Sequence, residues 1–327
     1  MRRVAIMAAF FCVLLGAEGG LGARPEPPGP AAQVAIFYYA WYGTPSVDGS
    51  WLHWGQGEHA PPVGIGSSYY PARGVYSSSD AGVVRAQMQE IAAIGIDTLI
   101  VSWWGPGSVE DVRLRPVAAA ARAAGLDVAL HVEPWQGRSP ASVVAALQEV
   151  APLGIRDVYV YDSAADDDLL WRDALVGLQG YRVFAHTTLP GRALKGGFQG
   201  LYTYDVLVWN GDSFGRMCAA ARRHGLACAP SVGPGFDASR ATPERRVQDR
   251  RNGRRYDHMW YSAVRARPDV VTITSYNEWH EGTQIEPVRA QGDYATYEGA
   301  WGRSGVSAQW AYLDRTAYWV DRLHASP

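Results

Sequence analysis

From residue 34 onward the chain alternates short apolar, β-branched or aromatic runs with longer stretches of helical periodicity, and it does so eight times. The strand-like runs are 34–39 (VAIFYY), 97–103 (DTLIVSW), 126–132 (LDVALHV), 157–161 (DVYVY), 181–186 (YRVFAH), 200–204 (GLYTY), 227–232 (ACAPSV) and 269–276 (DVVTITSY). Between them lie amphipathic segments with recognisable ends. One starts at an Asp80 N-cap, carries Val83, Val84, Met88, Ile91 and Ile94 at helical spacing, and closes at Gly95. Others are expected at 114–124, from a Ser139 cap through 150, and at 166–178, 214–224, 255–267 and 308–323; a Gly-rich connection is expected between the fifth and sixth strands. Strands that each hand over to a helix must lie parallel with the helices on their faces. Eight such units predict an α/β fold, a single (β/α)8 TIM-type barrel with long βα loops over 33–327. The competing arrangement, an open doubly wound sheet, would carry a G-x-G-x-x-G turn after its first strand if it held a dinucleotide. Here that strand runs into YYAWYGTP, so no nucleotide cofactor is expected.

The segment before the first strand belongs to no such unit. Arg2 and Arg3 precede a short apolar run and then small residues up to Ala23, the pattern of a cleavable secretory signal peptide over 1–23. Residues 24–32 (RPEPPGPAA) read as a stiff Pro-rich spacer. No later stretch approaches the roughly 20 apolar residues that a membrane span needs. The expectation is an exported protein with no membrane span in its mature chain. Outside the leader the cysteines are Cys218 and Cys228, on a helix and the strand after it. Either a disulfide or two buried thiols fits that placement. Thirty Lys and Arg against thirty-two Asp and Glu leave a net charge of −2, so no field of one sign exists to attract nucleic acid. A monomer is expected. The aromatic balance is unusual, with 13 Trp and 18 Tyr against 7 Phe. Amphipathic rings in that excess hint at a surface that stacks on sugar.

In a barrel, chemistry gathers where the strands end and the βα loops open. Those positions carry Tyr38, Tyr39, Trp41 and Tyr42, then Trp103 and Trp104, His131 and Glu133, Asp162, His186, Tyr202 and Tyr204, and finally Asn277, Glu278, Trp279, His280 and Glu281. A rim of carboxylates, histidines and rings with little Lys or Arg suits a neutral polyhydroxylated ligand. Hydrolysis of a glycosidic bond needs one acid at the leaving oxygen and a second carboxylate at the anomeric side. Glu278 and Glu281, three residues apart at the end of the eighth strand, can both reach one sugar ring. By spacing alone E-x-x-E is an ordinary solvated pair, and its place in the barrel argues otherwise. His131-x-Glu133 and His280-Glu281 match no zinc spacing, so no metal is expected. The acidic run Asp166 to Asp168 reads as a helix start, and the Arg-rich stretch from Arg245 to Arg255 as a solvated loop with one Arg near ligand at most.

At this point the chain resembles glycoside hydrolase family 99, the endo-α-1,2-mannosidases and endo-α-1,2-mannanases. The resemblance rests on 37–45 (FYYAWYGTP), 64–71 (GIGSSYYP), 76–80 (YSSSD), 102–104 (SWW), 131–134 (HVEP), 160–163 (VYDS), 200–204 (GLYTY), 230–235 (PSVGPG), 252–256 (NGRRY) and 273–286 (ITSYNEWHEGTQIE), in family order. It implies a retaining, endo-acting enzyme without a metal, in which the substrate's own 2-hydroxyl attacks the anomeric carbon to give a 1,2-anhydro sugar. Glu278 then matches the residue that deprotonates that hydroxyl, and Glu281 the acid at the leaving oxygen. Substrate contacts are expected from Tyr39, Tyr42, Trp104, Glu133, His186, Tyr204, Asn277 and Trp279. Where the animal enzymes resemble one another in having Tyr, this chain has Trp104, as bacterial members do, which implies mannose beyond the cleaved sugar. The segment 150–157 is shorter than in animal members, and no Golgi-type anchor is evident, which favours an exported microbial enzyme. The expected partner is thus an α-mannose-containing oligosaccharide or polysaccharide. Two rivals remain at this stage: a barrel that binds carbohydrate without cutting it, and a glycosidase of the same fold acting on another α-linked sugar.

Overall fold

The structure is a computed structural model that describes residues 32–325; the expected leader and nearly all of the spacer lie outside the described residues. Eight parallel strands close into a barrel. They are Gln33–Tyr38, Thr98–Trp103, Asp127–Val132, Asp157–Val160, Arg182–His186, Gly200–Tyr202, an interrupted seventh strand and Val270–Ile273. Each pairs with the next, and the eighth closes on the first with Val34 beside Val271. The seventh is broken at Pro230, which has no N–H to donate. Its first half, Ala227–Ala229, pairs with the sixth strand, and its second half, Ser231–Val232, with the eighth. The Pro230 carbonyl still accepts the Thr272 N–H at 3.0 Å, so the break does not open the ring.

The strands are almost wholly buried, as expected of parallel strands covered by helices outside and packed side chains within. Phe37, His131, Tyr159 and Tyr202 meet inside with ring centres 4.7 to 6.3 Å apart. The aromatic excess is therefore largely a core feature. Trp54, Trp103, Trp171, Trp260 and Trp279 are among the largest fully buried side chains. That corrects the reading of these rings as chiefly a stacking surface.

Local chemistry fixes the helix ends. Asp80 accepts the N–H groups of Gly82 and Val83 and starts Ala81–Ala93. The next helix, Val109–Ala123, begins earlier than its apolar pattern implied, because Ser108 caps it and Glu110 and Asp111 complement its first turn. Ser139 caps Pro140–Val150, and Asp167 caps a shortened Asp168–Leu175. The Gly-rich connection contains a short helix, Pro190–Lys195, that its glycines concealed. Cys218, on Phe214–Arg223, is joined to Cys228 of the seventh strand by a disulfide, which resolves the open alternative. No helix among the described residues is long and apolar enough to cross a membrane.

Candidate active site

The eighth strand stops at Ile273, three residues short of the expected end, because the chain then folds back on itself. Ser275 N–H donates to the Thr283 carbonyl at 3.0 Å and Ile285 N–H to the Ser275 carbonyl at 2.9 Å, which makes 275–285 a closed loop. Ser275 Oγ accepts the Glu278 N–H at 2.8 Å. The Glu278 carboxylate in turn accepts the N–H groups of His280 (2.9 Å) and Glu281 (3.3 Å) on one oxygen. Burial, followed by the charges of Glu281 and Glu133, pushes the Glu278 carboxyl well up, while those two amides oppose the shift. Glu281 is partly open and receives only the Tyr204 hydroxyl, at 3.5 Å. Burial, Asp205 and Glu133 push its carboxyl up to about 8.

Two carboxyls so close to one another do not both ionise readily, and the pair titrates as a unit. Their surroundings differ: two backbone N–H donors point at Glu278, whereas Glu281 has no backbone donor.

The remaining expected residues fall into two sets. Tyr39, Glu133 and Tyr204 stand around the pair. Tyr39 and Tyr204 share a short hydroxyl–hydroxyl hydrogen bond, and Glu133 accepts from Ser102 Oγ at 2.9 Å with His131 Nδ1 also 2.9 Å away. Trp104 is half-buried and its indole N–H has no protein partner, and His186 is half-buried beside Asp205. Asn277, Tyr42 and Trp279 are held by hydrogen bonds within the protein. Asn277 exchanges two hydrogen bonds with the Tyr39 backbone, at 2.8 and 2.9 Å. The Tyr42 hydroxyl donates to the Asn277 carbonyl and accepts the Trp279 N–H. The Trp279 indole donates to Tyr76 and Glu286, each at 3.1 Å. All three are fully buried. Together they form a frame that ties the loop to the end of the first strand.

Two further parts of that frame were missed. Glu286 lies at the end of the quoted NEWHEGTQIE run and accepts from Arg73, Gln87, Tyr76 and Trp279 at 2.7 to 3.1 Å. Its even place in a polar run gave no sign of a buried role. Arg250, taken with its neighbours as solvated, is buried among the rings of Tyr69, Tyr297 and Tyr312, 4.6 to 4.8 Å away. It donates to the Gly282 and Gln284 carbonyls at 2.9 and 2.7 Å, so it braces the far side of the same loop. On the flank, burial lowers both His53 and His280 to about 4, and Trp41 stacks on His53 at 4.6 Å, giving a neutral aromatic wall. Among the described residues no group of three or more His, Cys, Asp or Glu is placed to hold a metal ion.

The sequence profile of glycosyl hydrolase family 99 matches residues 31–154 and 187–325. The chain belongs to that family. A glycoprotein endo-alpha-1,2-mannosidase-like protein of Danio rerio is 33% identical over 318 residues, covering 77% of this chain and 70% of that protein. The glycoprotein endo-alpha-1,2-mannosidase of Xenopus laevis is 30% identical, covering 80% of this chain and 71% of that protein. The solved GH99 endo-alpha-mannosidase of Bacteroides thetaiotaomicron superposes with a TM-score of 0.79 at 29% identity, covering 90% of this chain and 98% of that one. This family 99 chain is a glycoside hydrolase on a (β/α)8 barrel. Its profile match is interrupted over 155–186, which holds the fourth and fifth strands.

Proposed function

We propose that this glycoside hydrolase cuts internal α-1,2-mannosidic linkages with retention of configuration, in mannan or N-glycan-type oligosaccharides. The specificity is supported by relatives named as endo-alpha-1,2-mannosidases. The observation that carries the mechanism is the unequal dressing of the Glu pair: two backbone amides on Glu278, one distant hydroxyl on Glu281. In an α-mannoside the axial 2-hydroxyl lies anti to the anomeric bond and attacks in line. Glu278 takes the proton from O2 as O2 bonds to C1. The C1–O1 bond breaks, and Glu281 gives its proton to O1. The 1,2-anhydro sugar is then opened by water, which loses a proton to Glu281 as O2 regains one from Glu278. The chain is further proposed to be exported behind its leader, and its disulfide fits an oxidising compartment.

The test compares an α-1,3-mannobiosyl fluoride, whose reacting sugar carries a free 2-hydroxyl, with its counterpart lacking that hydroxyl. Cleavage of the first alone supports the participation of O2. Equal cleavage of both excludes it and leaves the hydrolase assignment standing.

A further inference from the structure

Next to Tyr204, which donates to Glu281, the rim carries a polar cluster with no part in the steps above. Asp205 follows Tyr204 directly, just past the end of the sixth strand. The Tyr161 hydroxyl donates to one of its carboxylate oxygens at 3.0 Å, and His186 Nε2 lies 3.2 Å from the other. Tyr161 stacks on His186 with ring centres 4.8 Å apart and meets the Tyr204 ring edge-on at 5.5 Å. Arg138 fixes the turn beneath by donating to the Tyr161 and Asp162 carbonyls at 2.7 and 3.0 Å. The cluster is rigid on its protein side, while the Asp205 side chain stays 30% exposed. Burial alone would raise Asp205, but His186 and Tyr161 outweigh it and hold the group below the ordinary carboxylate range. It is therefore a fixed, charged acceptor at the cleft edge, with lone pairs left over for a ligand.

Its placement gives it a direction. Tyr161, which donates to Asp205, meets the ring of Tyr204, whose hydroxyl donates to Glu281 at 3.5 Å, whereas Glu278 is held by the amides of its own loop. If Glu281 serves O1, a cluster joined to it through Tyr204 lies towards the departing chain. Tyr161 and His186 come from the ends of the fourth and fifth strands, and Asp205 from just past the sixth, so neighbouring strands of the barrel hold the cluster.

We propose that Asp205, oriented by Tyr161 and His186, accepts hydrogen bonds from hydroxyls of the sugar on the leaving side of the scissile linkage and thereby selects which glycan chain is cut. This rests on the reading of Glu281 as the acid. Two substrates with a free 2-hydroxyl on the reacting sugar separate the roles: the mannotetraose α-Man-1,3-α-Man-1,2-α-Man-1,2-Man, which places sugar on the leaving side, and α-1,3-mannobiosyl fluoride, which does not. For Asp205→Ala, kcat/KM on the tetraose falls by about 30-fold, the worth of a lost hydrogen bond or two to a charged group. The loss on the fluoride is smaller by on the order of tenfold. Equal losses on both, or none on the tetraose, overturn the proposal. Asp205→Asn keeps the side-chain volume and shows the same ordering, which guards against a folding defect. Calorimetric titration with α-1,2-mannobiose needs no turnover. Weaker binding by Asp205→Ala supports the proposal even if the wild type cuts neither substrate, a result that would sink the enzymatic reading alone. Unchanged binding overturns it.

Discussion

Replacing Glu286 with Gln should destabilise the protein and slow it together, although the residue faces no cleft. Its first carboxylate oxygen accepts Arg73 Nε at 2.7 Å and Gln87 Nε2 at 2.9 Å; its second accepts the Tyr76 hydroxyl at 2.8 Å and the Trp279 indole at 3.1 Å. Four donors converge on a side chain with no exposure. A Gln amide must turn its NH2 towards one donor pair, and the better choice is the Tyr76 side, where the hydroxyl can rotate to accept. The Trp279 indole then keeps only Tyr76, while Arg73 keeps a neutral amide oxygen in place of the carboxylate and its two bonds to Glu90, at 2.7 and 2.8 Å. Removing the charge from a buried pair costs about 3–5 kcal/mol; Arg73 is 21% exposed and retains Glu90 and an amide oxygen, so the low end, about 3 kcal/mol, applies. At roughly 2 °C per kcal/mol for a domain of this size, the melting temperature drops by about 6 °C. Because Tyr76 also receives Asn277 Nδ2 at 3.3 Å, the loop carrying Glu278 loosens, and kcat should fall by on the order of tenfold with KM little changed. Thermal denaturation and initial rates on α-1,3-mannobiosyl fluoride read both effects. Glu90→Gln, at the wetter end of the network, should cost less than half as much. A Glu286→Gln protein that melts within 1 °C of wild type and keeps its kcat would refute the reasoning.

The other predictions concern the acid, the loop brace and the disulfide. Because Glu281 is held up to about 8 by burial, Asp205 and Glu133, its protonated form is lost as pH rises through that value, and kcat/KM should decline above about pH 8. Removing the neighbouring charge in Asp205→Asn lowers that carboxyl, so the alkaline limb should move to lower pH in a rate profile. Arg250→Lys cannot reach both the Gly282 and Gln284 carbonyls, and stability should fall by about 2 kcal/mol in urea titration. Opening the Cys218–Cys228 link, which closes a separation of 10 residues, should cost about 2.5 kcal/mol in the Cys218→Ser, Cys228→Ser double variant.

The barrel was legible because its signal repeats. Each apolar run between caps such as Asp80 and Ser139 carries its own period, and eight agreeing units leave few alternatives. The helix Pro190–Lys195 was hidden because a six-residue helix amid glycines has no period to read. At the site, Glu278 and Glu281 were visible through their place at a strand end. The frame was not, since Asn277, Tyr42 and Trp279 are residue types that serve equally well against a sugar or against one another. Arg250 shows the same limit from the other direction. Six arginines within eleven residues read as solvent-facing, and only the three tyrosines brought from distant segments make one of them a core residue. Asp205 stood one position beyond the expected strand end, where composition alone gave no reason to look.

The most direct test of the account is product analysis after incubating wild-type protein and Glu281→Gln, side by side, with a mannan in which internal α-1,2 linkages follow 3-linked mannose, so that the reacting sugar keeps a free 2-hydroxyl. The account predicts oligosaccharides from the wild type, without stepwise release of mannose, and a loss of about 100-fold or more with the variant. No release by the wild type, or equal release by both proteins, would contradict it.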